Sequence, residues 1–151
     1  MLAVGKRAPE FTARNQNDVP VALSDLLQGG SLILYFYPAD FTPGCTREAC
    51  SLRDLHSQLL AAKVAVVGVS PQSAQSHAAF VAKYALPFTL LGDPDKALAR
   101  AYDVIGPLGF GVRRASFLIS PSGIIEDTLL ADLRIWRHEA FFRKVVAARS
   151  R

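Results

Sequence analysis

The stretch Tyr37 to Leu52, Y-P-A-D-F-T-P-G-C-T-R-E-A-C-S-L, holds the only two cysteines of a 151-residue chain, Cys45 and Cys50. It begins where an apolar, β-rich run, S-L-I-L-Y-F-Y at 31–37, is stopped by Pro38. Such a run reads as a buried strand. Thr42-Pro43 then reads as a helix start, with threonine at the N-cap and proline at the first helical position. Leu52, Leu55 and Leu59 follow at helical spacing and carry the helix to about Ala62. Cys45 therefore falls in the first turn of a helix that leaves a buried strand.

Working outward, V-A-V-V-G-V at 64–69 is a second buried strand, Ser73 to Tyr84 a helix, and Phe88 to Leu91 a short strand. G-D-P-D at 92–95 is turn-like, and a helix follows to about Tyr102. Residues 104–113 form a glycine-containing loop. Ala115–Ser120 and Ile124–Leu130 flank S-P-S-G, whose second-place proline and last-place glycine suit a type I turn and predict a hairpin. Phe141, Val145 and Ala148 mark a last helix, and the residues ahead of Ser31 read as a short opening segment. Strands alternating with helices demand parallel crossovers, and the late hairpin adds antiparallel pairing. The expected fold is a thioredoxin-like α/β sandwich, a central mixed β-sheet flanked by helices, as a single domain over residues 1–151.

Composition bounds the function. Half the residues are hydrophobic, which excludes disorder. No run approaches the roughly 18 apolar residues of a membrane helix. The N-terminal M-L-A-V-G-K-R-A-P-E-F shows no apolar signal core with a small-residue cleavage site, so a cytoplasmic location is the expectation. Net charge is +4, but the basic residues are scattered rather than clustered along one face, which argues against a nucleic-acid partner. Two cysteines in a reducing compartment are not a structural disulfide framework. They are either small buried hydrophobes or reactive thiols.

A thiolate is the nucleophilic form of cysteine, and the free N–H groups and dipole at a helix N-terminus favour negative charge. That contribution is at most about 2 kcal/mol. Bringing a cysteine from a pKa of about 8.5 to about 6 takes roughly 3.4 kcal/mol. A cation or further hydrogen bonds must therefore assist. Five residues along an ideal helix separate two Cα atoms by about 8.7 Å, beyond the roughly 4.4–6.8 Å of a disulfide. Cys45 and Cys50 can pair only if the first turn or two unwinds. A C-x-x-C pair would meet no such obstacle, so a thioredoxin-type dithiol is disfavoured. A zinc site needs four ligands, and no second Cys or His cluster supplies them.

Pro38, Thr42 and Cys45 reproduce a P-x-x-x-T-x-x-C signature, and with C-T-R-E-A-C the chain resembles the peroxiredoxins, in particular the PrxQ or bacterioferritin comigratory protein subfamily. G-K-R-A-P-E-F near the start, G-V-S-P-Q-S-A-Q-S-H at 68–77, L-P-F-T-L-L-G-D-P-D at 86–95 and R-A-S-F-L-I at 114–119 extend the likeness over nearly the whole chain. The resemblance implies a thiol-dependent peroxidase with no cofactor. Cys45 matches the peroxidatic cysteine, oxidised by a hydroperoxide to a sulfenic acid. Thr42 matches the residue whose hydroxyl bonds the thiolate or peroxide, alongside its simpler reading as an N-cap. Pro38 matches the residue that shields the site. Arg114 matches the arginine that faces the cysteine, and strand alternation turns Arg113 to the other face. Glu48 matches the glutamate that holds the arginine. Cys50 matches the resolving cysteine, giving an intramolecular disulfide recycled by thioredoxin or a similar dithiol. The family precedent leans to a monomer, at most a weak dimer.

The loop V-I-G-P-L-G-F-G-V-R-R at 104–114 departs from the subfamily in being shorter and more apolar. Leu108 and Phe110 there read as core cover ahead of an apolar entrance for organic hydroperoxides. His77 reads as packed or capping, His56 as lying on the exposed side of its helix, His138 as lying near the last helix start, and Trp136 as core or interface. Two other functions share these residues: a thioredoxin-fold binding protein with incidental cysteines, and a peroxide sensor that passes oxidation to a partner. Binding alone needs none of Thr42, Cys45 and Arg114, which favours the peroxidase.

Overall fold

The computed structural model describes residues 1–149. One seven-stranded mixed sheet runs through it in the order β2-β1-β5-β4-β3-β6-β7. The strands are β1 (Thr12–Asn15), β2 (Pro20–Ala22), β3 (Ser31–Phe36), β4 (Val64–Ser70), β5 (Thr89–Gly92), β6 (Ala115–Ile119) and β7 (Ile125–Leu130). The helices are α1 (Leu23–Leu26), α2 (Pro43–Ala61), α3 (Ala74–Tyr84), α4 (Ala97–Ala101) and α5 (Ile135–Arg149). β3, β4 and β5 are parallel, whereas β6 runs antiparallel to β3 and β7 antiparallel to β6. The expected mixed sheet and late hairpin are present, with the Gly123 amide donating to the Ser120 carbonyl across the turn at 2.9 Å.

Every residue of β3 is buried because both faces of the sheet are covered. Leu32, Leu34 and Phe36 enter one apolar cluster with Val67, Val69 and Phe117. Ile33, Tyr35 and Tyr37 enter the other, with Leu52, Leu59, Phe80, Phe142 and Cys45. Period-two alternation sorts the side chains in this way. Burying a Leu or Phe side chain contributes roughly 1.5–3 kcal/mol, so Leu52 and Leu59, both fully buried, hold α2 against the sheet. Gly68 of β4 lies beneath the Tyr35 ring, and a Cβ there would come within 2.8 Å of the Tyr35 hydroxyl.

The opening segment differs from the sequence reading. It contains the β1–β2 hairpin and α1, and β1 pairs antiparallel with β5 at Arg14↔Gly92 and Asn15↔Leu91. Its strands are three and four residues long and half exposed, too short for a periodic signal. The Asn15 side chain organises its turn by accepting from the Asn17 and Val19 amides at 2.9 and 3.1 Å.

Candidate active site

Pro38 ends β3 and is exposed, and the chain reaches α2 through Ala39 to Thr42. The Thr46 amide donates to the Thr42 carbonyl at 2.9 Å, so the helix opens where expected. The cap itself differs. The Thr42 side chain makes no capping hydrogen bond; its hydroxyl donates instead to the Ala39 carbonyl at 3.1 Å. This ties the preceding turn together and leaves the first-turn amides of α2 to other acceptors.

Cys45 is 1% exposed, inside the α2-side cluster. Arg114 immediately precedes β6 on the same face as Ser116 and Leu118, and its guanidinium reaches the helix. Nη2 donates to Cys45 Sγ at 3.2 Å and Nη1 to Glu48 Oε1 at 3.0 Å. Arg113 points the other way and pairs with Asp132 at 2.7 Å. Asp132 also accepts from the Arg114 amide at 3.1 Å, so one carboxylate fixes both arginines. Gly44 makes the approach of Arg114 possible, since a Cβ there would lie 3.2 Å from Nη2 and 3.3 Å from Ile135 Cδ1. Both cysteines are free thiols. Cys50, half buried on the continuous helix, lines a cleft of about 290 Å³ between α2 and α5 with Arg47, Asp54, Glu139 and Arg143.

Two buried carboxylate–histidine pairs flank this centre, and the sequence did not reveal either. Asp40 accepts from Tyr37 Oη at 2.6 Å and from Ser76 Oγ at 2.7 Å, and His77 lies against it with Nδ1 at 2.7 Å and Nε2 3.1 Å from the Leu91 carbonyl. Burial works to raise its pKa, but the bonds from His77, Tyr37 and Ser76 outweigh it and hold the carboxyl below the usual range. On the other side, His138 of α5 sets Nδ1 3.4 Å from Glu48 Oε2. Burial pushes the Glu48 carboxyl up to about 7 despite the pull of Arg114. Burial also brings the His138 imidazole down to about 4. His138 and Glu48 stand 90 positions apart, and no local spacing signals their contact.

Phe41, between Asp40 and Thr42, has φ +65°, a conformation uncommon for a bulky side chain. Its ring packs edge-on against Phe80, 5.1 Å between centroids. The active-site loop is therefore clamped on both sides of the strained residue. Leu108 and Phe110 are 95% and 76% exposed, so the core-cover reading does not hold. Trp136 is 57% exposed and is likewise not core.

A buried cysteine at the start of a long helix, held by a guanidinium over a thioredoxin-like sheet, defines a protein of thiol chemistry. Comparison with known proteins names the family. The AhpC/TSA family pattern matches residues 4–128, and the chain belongs to that family. Peroxiredoxin Bcp of Bacillus subtilis is 40% identical over 128 residues, covering 81% of each chain. The crystal structure of peroxidoxin BcpB from Mycobacterium tuberculosis superposes with a TM-score of 0.91 at 30% identity over 98% of both chains. The bacterioferritin comigratory protein of Xanthomonas campestris, described for alkyl peroxide reduction, gives a TM-score of 0.82 at 31% identity over 91% of both. The chain is thus a peroxiredoxin with relatives of the Bcp and Q type. Among the described residues, no helix is long and apolar enough to cross a membrane.

Proposed function

We propose that the chain reduces hydrogen peroxide and organic hydroperoxides in a cycle run by Cys45 and Cys50. The observation that carries this reading is the Arg114 guanidinium, shared between Cys45 Sγ and Glu48 Oε1. A planar donor held at the sulfur stabilises negative charge there and on the oxygen that departs. The Cys45 thiolate attacks the terminal peroxide oxygen, the S–O bond forms and the O–O bond breaks. The leaving oxygen takes up a proton as water or an alcohol, and the sulfur remains as a sulfenic acid. The relative with described alkyl peroxide reduction supports the inclusion of organic hydroperoxides.

Cys50 then attacks the Cys45 sulfur. The S–S bond forms, the S–O bond breaks, and hydroxide leaves with a proton as water. Both cysteines lie within α2, where five residues of ideal helix keep the Cα atoms about 8.7 Å apart. The first turn or two must unwind before the disulfide closes. In this reading thioredoxin or a similar dithiol returns the two electrons, and the cycle runs in a reducing compartment such as the cytoplasm. In the same reading Pro38 shields the site and Thr42 supplies a hydroxyl that turns from Ala39 to the incoming peroxide.

Intact-mass measurement of reduced protein after one equivalent of hydrogen peroxide tests the cycle. The wild type should lose about two mass units, the two hydrogens of a dithiol that forms a disulfide. Cys45→Ser should not react, and Cys50→Ser should give a trappable sulfenate. A stable sulfenate in the wild type removes Cys50 as the resolver. No oxidation of Cys45 removes the peroxidase reading.

A further inference from the structure

Beneath Arg114 the hydrogen bonds run out at two buried oxygens, the Tyr35 hydroxyl and Glu48 Oε2. Glu48 is 0% exposed, and its Oε1 accepts from Arg114. Its Oε2 is buried and has no hydrogen-bond partner among the described residues. His138 Nδ1 lies 3.4 Å from it. His138 is itself 0% exposed. Its Nε2 lies 2.9 Å from the Ala131 carbonyl, which can only accept, so Nε2 carries the hydrogen. In a neutral ring Nδ1 is then a bare lone pair, shared between the Ser116 hydroxyl at 2.9 Å and Glu48 Oε2. An ionised Glu48 would set a lone pair against a lone pair in a dry site. A protonated Glu48 removes that clash: Oε1 accepts from Arg114, and Oε2–H faces the Nδ1 lone pair, 3.4 Å away, which the Ser116 hydroxyl also approaches.

We propose that Glu48 and His138 hold one shared proton, seated on Glu48 Oε2, and that this proton sets the charge Arg114 presents to Cys45. His138 is thereby a positioning residue for Cys45 oxidation. The inference rests on the peroxidase reading for its effect on rate, but not for the place of the proton. With the proton bound, Arg114 stands as an uncompensated cation over the sulfur. With it lost, the Glu48 carboxylate neutralises that cation. The upward push of burial on Glu48, to about 7, puts the change within the working range of pH.

The other groups facing the pair do not replace this proton. Glu139 of α5 adds negative charge that also favours a neutral Glu48, and it is itself paired with Arg47. Tyr35 of β3 is kept as the neutral phenol by burial. Around His138, Arg114 and Arg137 oppose a charged ring, and Asp132 favours one more weakly than burial opposes it. Cys45 is the remaining titratable neighbour, on the far side of Arg114.

The test follows the proton directly. Reduced protein carrying ¹³C-carboxyl glutamate is titrated by NMR, with the Glu48 signal assigned by its loss in Glu48→Gln. The wild-type midpoint should fall near 7. His138→Gln removes the bare acceptor nitrogen and should lower the midpoint by about one unit, a tenfold change in proton affinity. Ser116→Ala removes the competing donor on Nδ1 and should raise it. Opposite shifts are not the mark of a residue that only fills space, and Ser116→Ala carries the test if His138→Gln does not fold. A Glu48 signal that stays carboxylate from pH 5 to 8, or one midpoint shared by wild type and folded variants, overturns the proposal.

The second arm measures the rate of Cys45 oxidation in a Cys50→Ser background. His138→Gln should react about twofold more slowly than wild type at pH 6 and about fivefold more slowly at pH 7, as the protonated fractions for midpoints near 7 and one unit lower require. Equal pH profiles with a shifted midpoint would overturn the link to Cys45. Failure of Cys45 to oxidise in any of these proteins would fall on the peroxidase reading, and the titration would still stand by itself.

Discussion

The two buried carboxylate–histidine pairs are built from the same groups and end in opposite states. Asp40 has three close polar partners, the Tyr37 and Ser76 hydroxyls that donate to it and the His77 ring, and its carboxyl is held below the usual range. Glu48 receives one donor, from Arg114, and burial leaves it near 7. The difference is one of donor supply. A carboxylate oxygen taken from water costs several kcal/mol unless hydrogen bonds replace the lost hydration. Where they do, the group is a fixed anion that fastens a loop. Where they do not, it is a proton site. The Asp40 pair locks the strained turn at Phe41, and the Glu48 pair underlies the guanidinium that meets Cys45.

The largest expected effect comes from removing the group that joins Glu48 to the sulfur. Arg114→Gln should slow Cys45 oxidation about 100- to 1,000-fold, as loss of a preorganised donor does. Stopped-flow rates with hydrogen peroxide check this, and a loss under tenfold would deny Arg114 its place.

Asp40→Asn attacks the other pair. It removes the charge from three short bonds and should cost roughly 3 kcal/mol in denaturant unfolding. The pH sign is set by the lowered carboxyl. Its stabilisation is complete above the unfolded value of about 3.9 and is lost as pH falls through the lower folded one. The variant should lack that acid-side loss.

Glu48→Gln sharpens the contrast through stability against pH. With Glu48 raised to about 7, its contribution is present below the unfolded value and lost as pH rises through the folded one. With His138 lowered to about 4, the folded state binds fewer protons than the unfolded state between there and the ordinary histidine range, so stability rises with pH. In the wild type these slopes oppose each other. Glu48→Gln should uncover the histidine slope, a gain of about 2 kcal/mol between pH 5 and 7. Urea unfolding across that range reads it, and a flat profile would contradict the balance.

The smallest change is Ser76→Ala, which takes one donor from Asp40. It should cost about 1 kcal/mol and raise the Asp40 carboxyl, moving that pair toward the condition of Glu48. Unfolding in denaturant measures the first effect and carboxyl NMR the second.

Much of this was legible in the chain. β3, β4 and β6 announce themselves because covered strands are continuous apolar runs, and the S-P-S-G turn announces the hairpin of β6 and β7. The turn between them and α2 is marked by proline and threonine. Arg114 followed from the motif and from alternation along the strand. The β1–β2 hairpin was not legible, since three- and four-residue half-exposed strands lack the length for a pattern. Nor was the true bond of Thr42, whose hydroxyl was expected to accept from a first-turn amide or to meet the thiolate and instead donates to the Ala39 carbonyl. Leu108 and Phe110 misled because their apolarity implied burial that the loop does not provide.

By itself the sequence determined the order of elements, the place of Cys45 in the first turn of α2 and the distance along that helix to Cys50. These are local matters, set by periodicity, caps and rise per residue. Only the tertiary structure decided which carboxylate meets which histidine. Asp40 and His77 lie 37 residues apart, and Glu48 and His138 are brought together from α2 and α5. A protonation state depends on every donor and on the water excluded around it, and those are known only once the chain has closed over them.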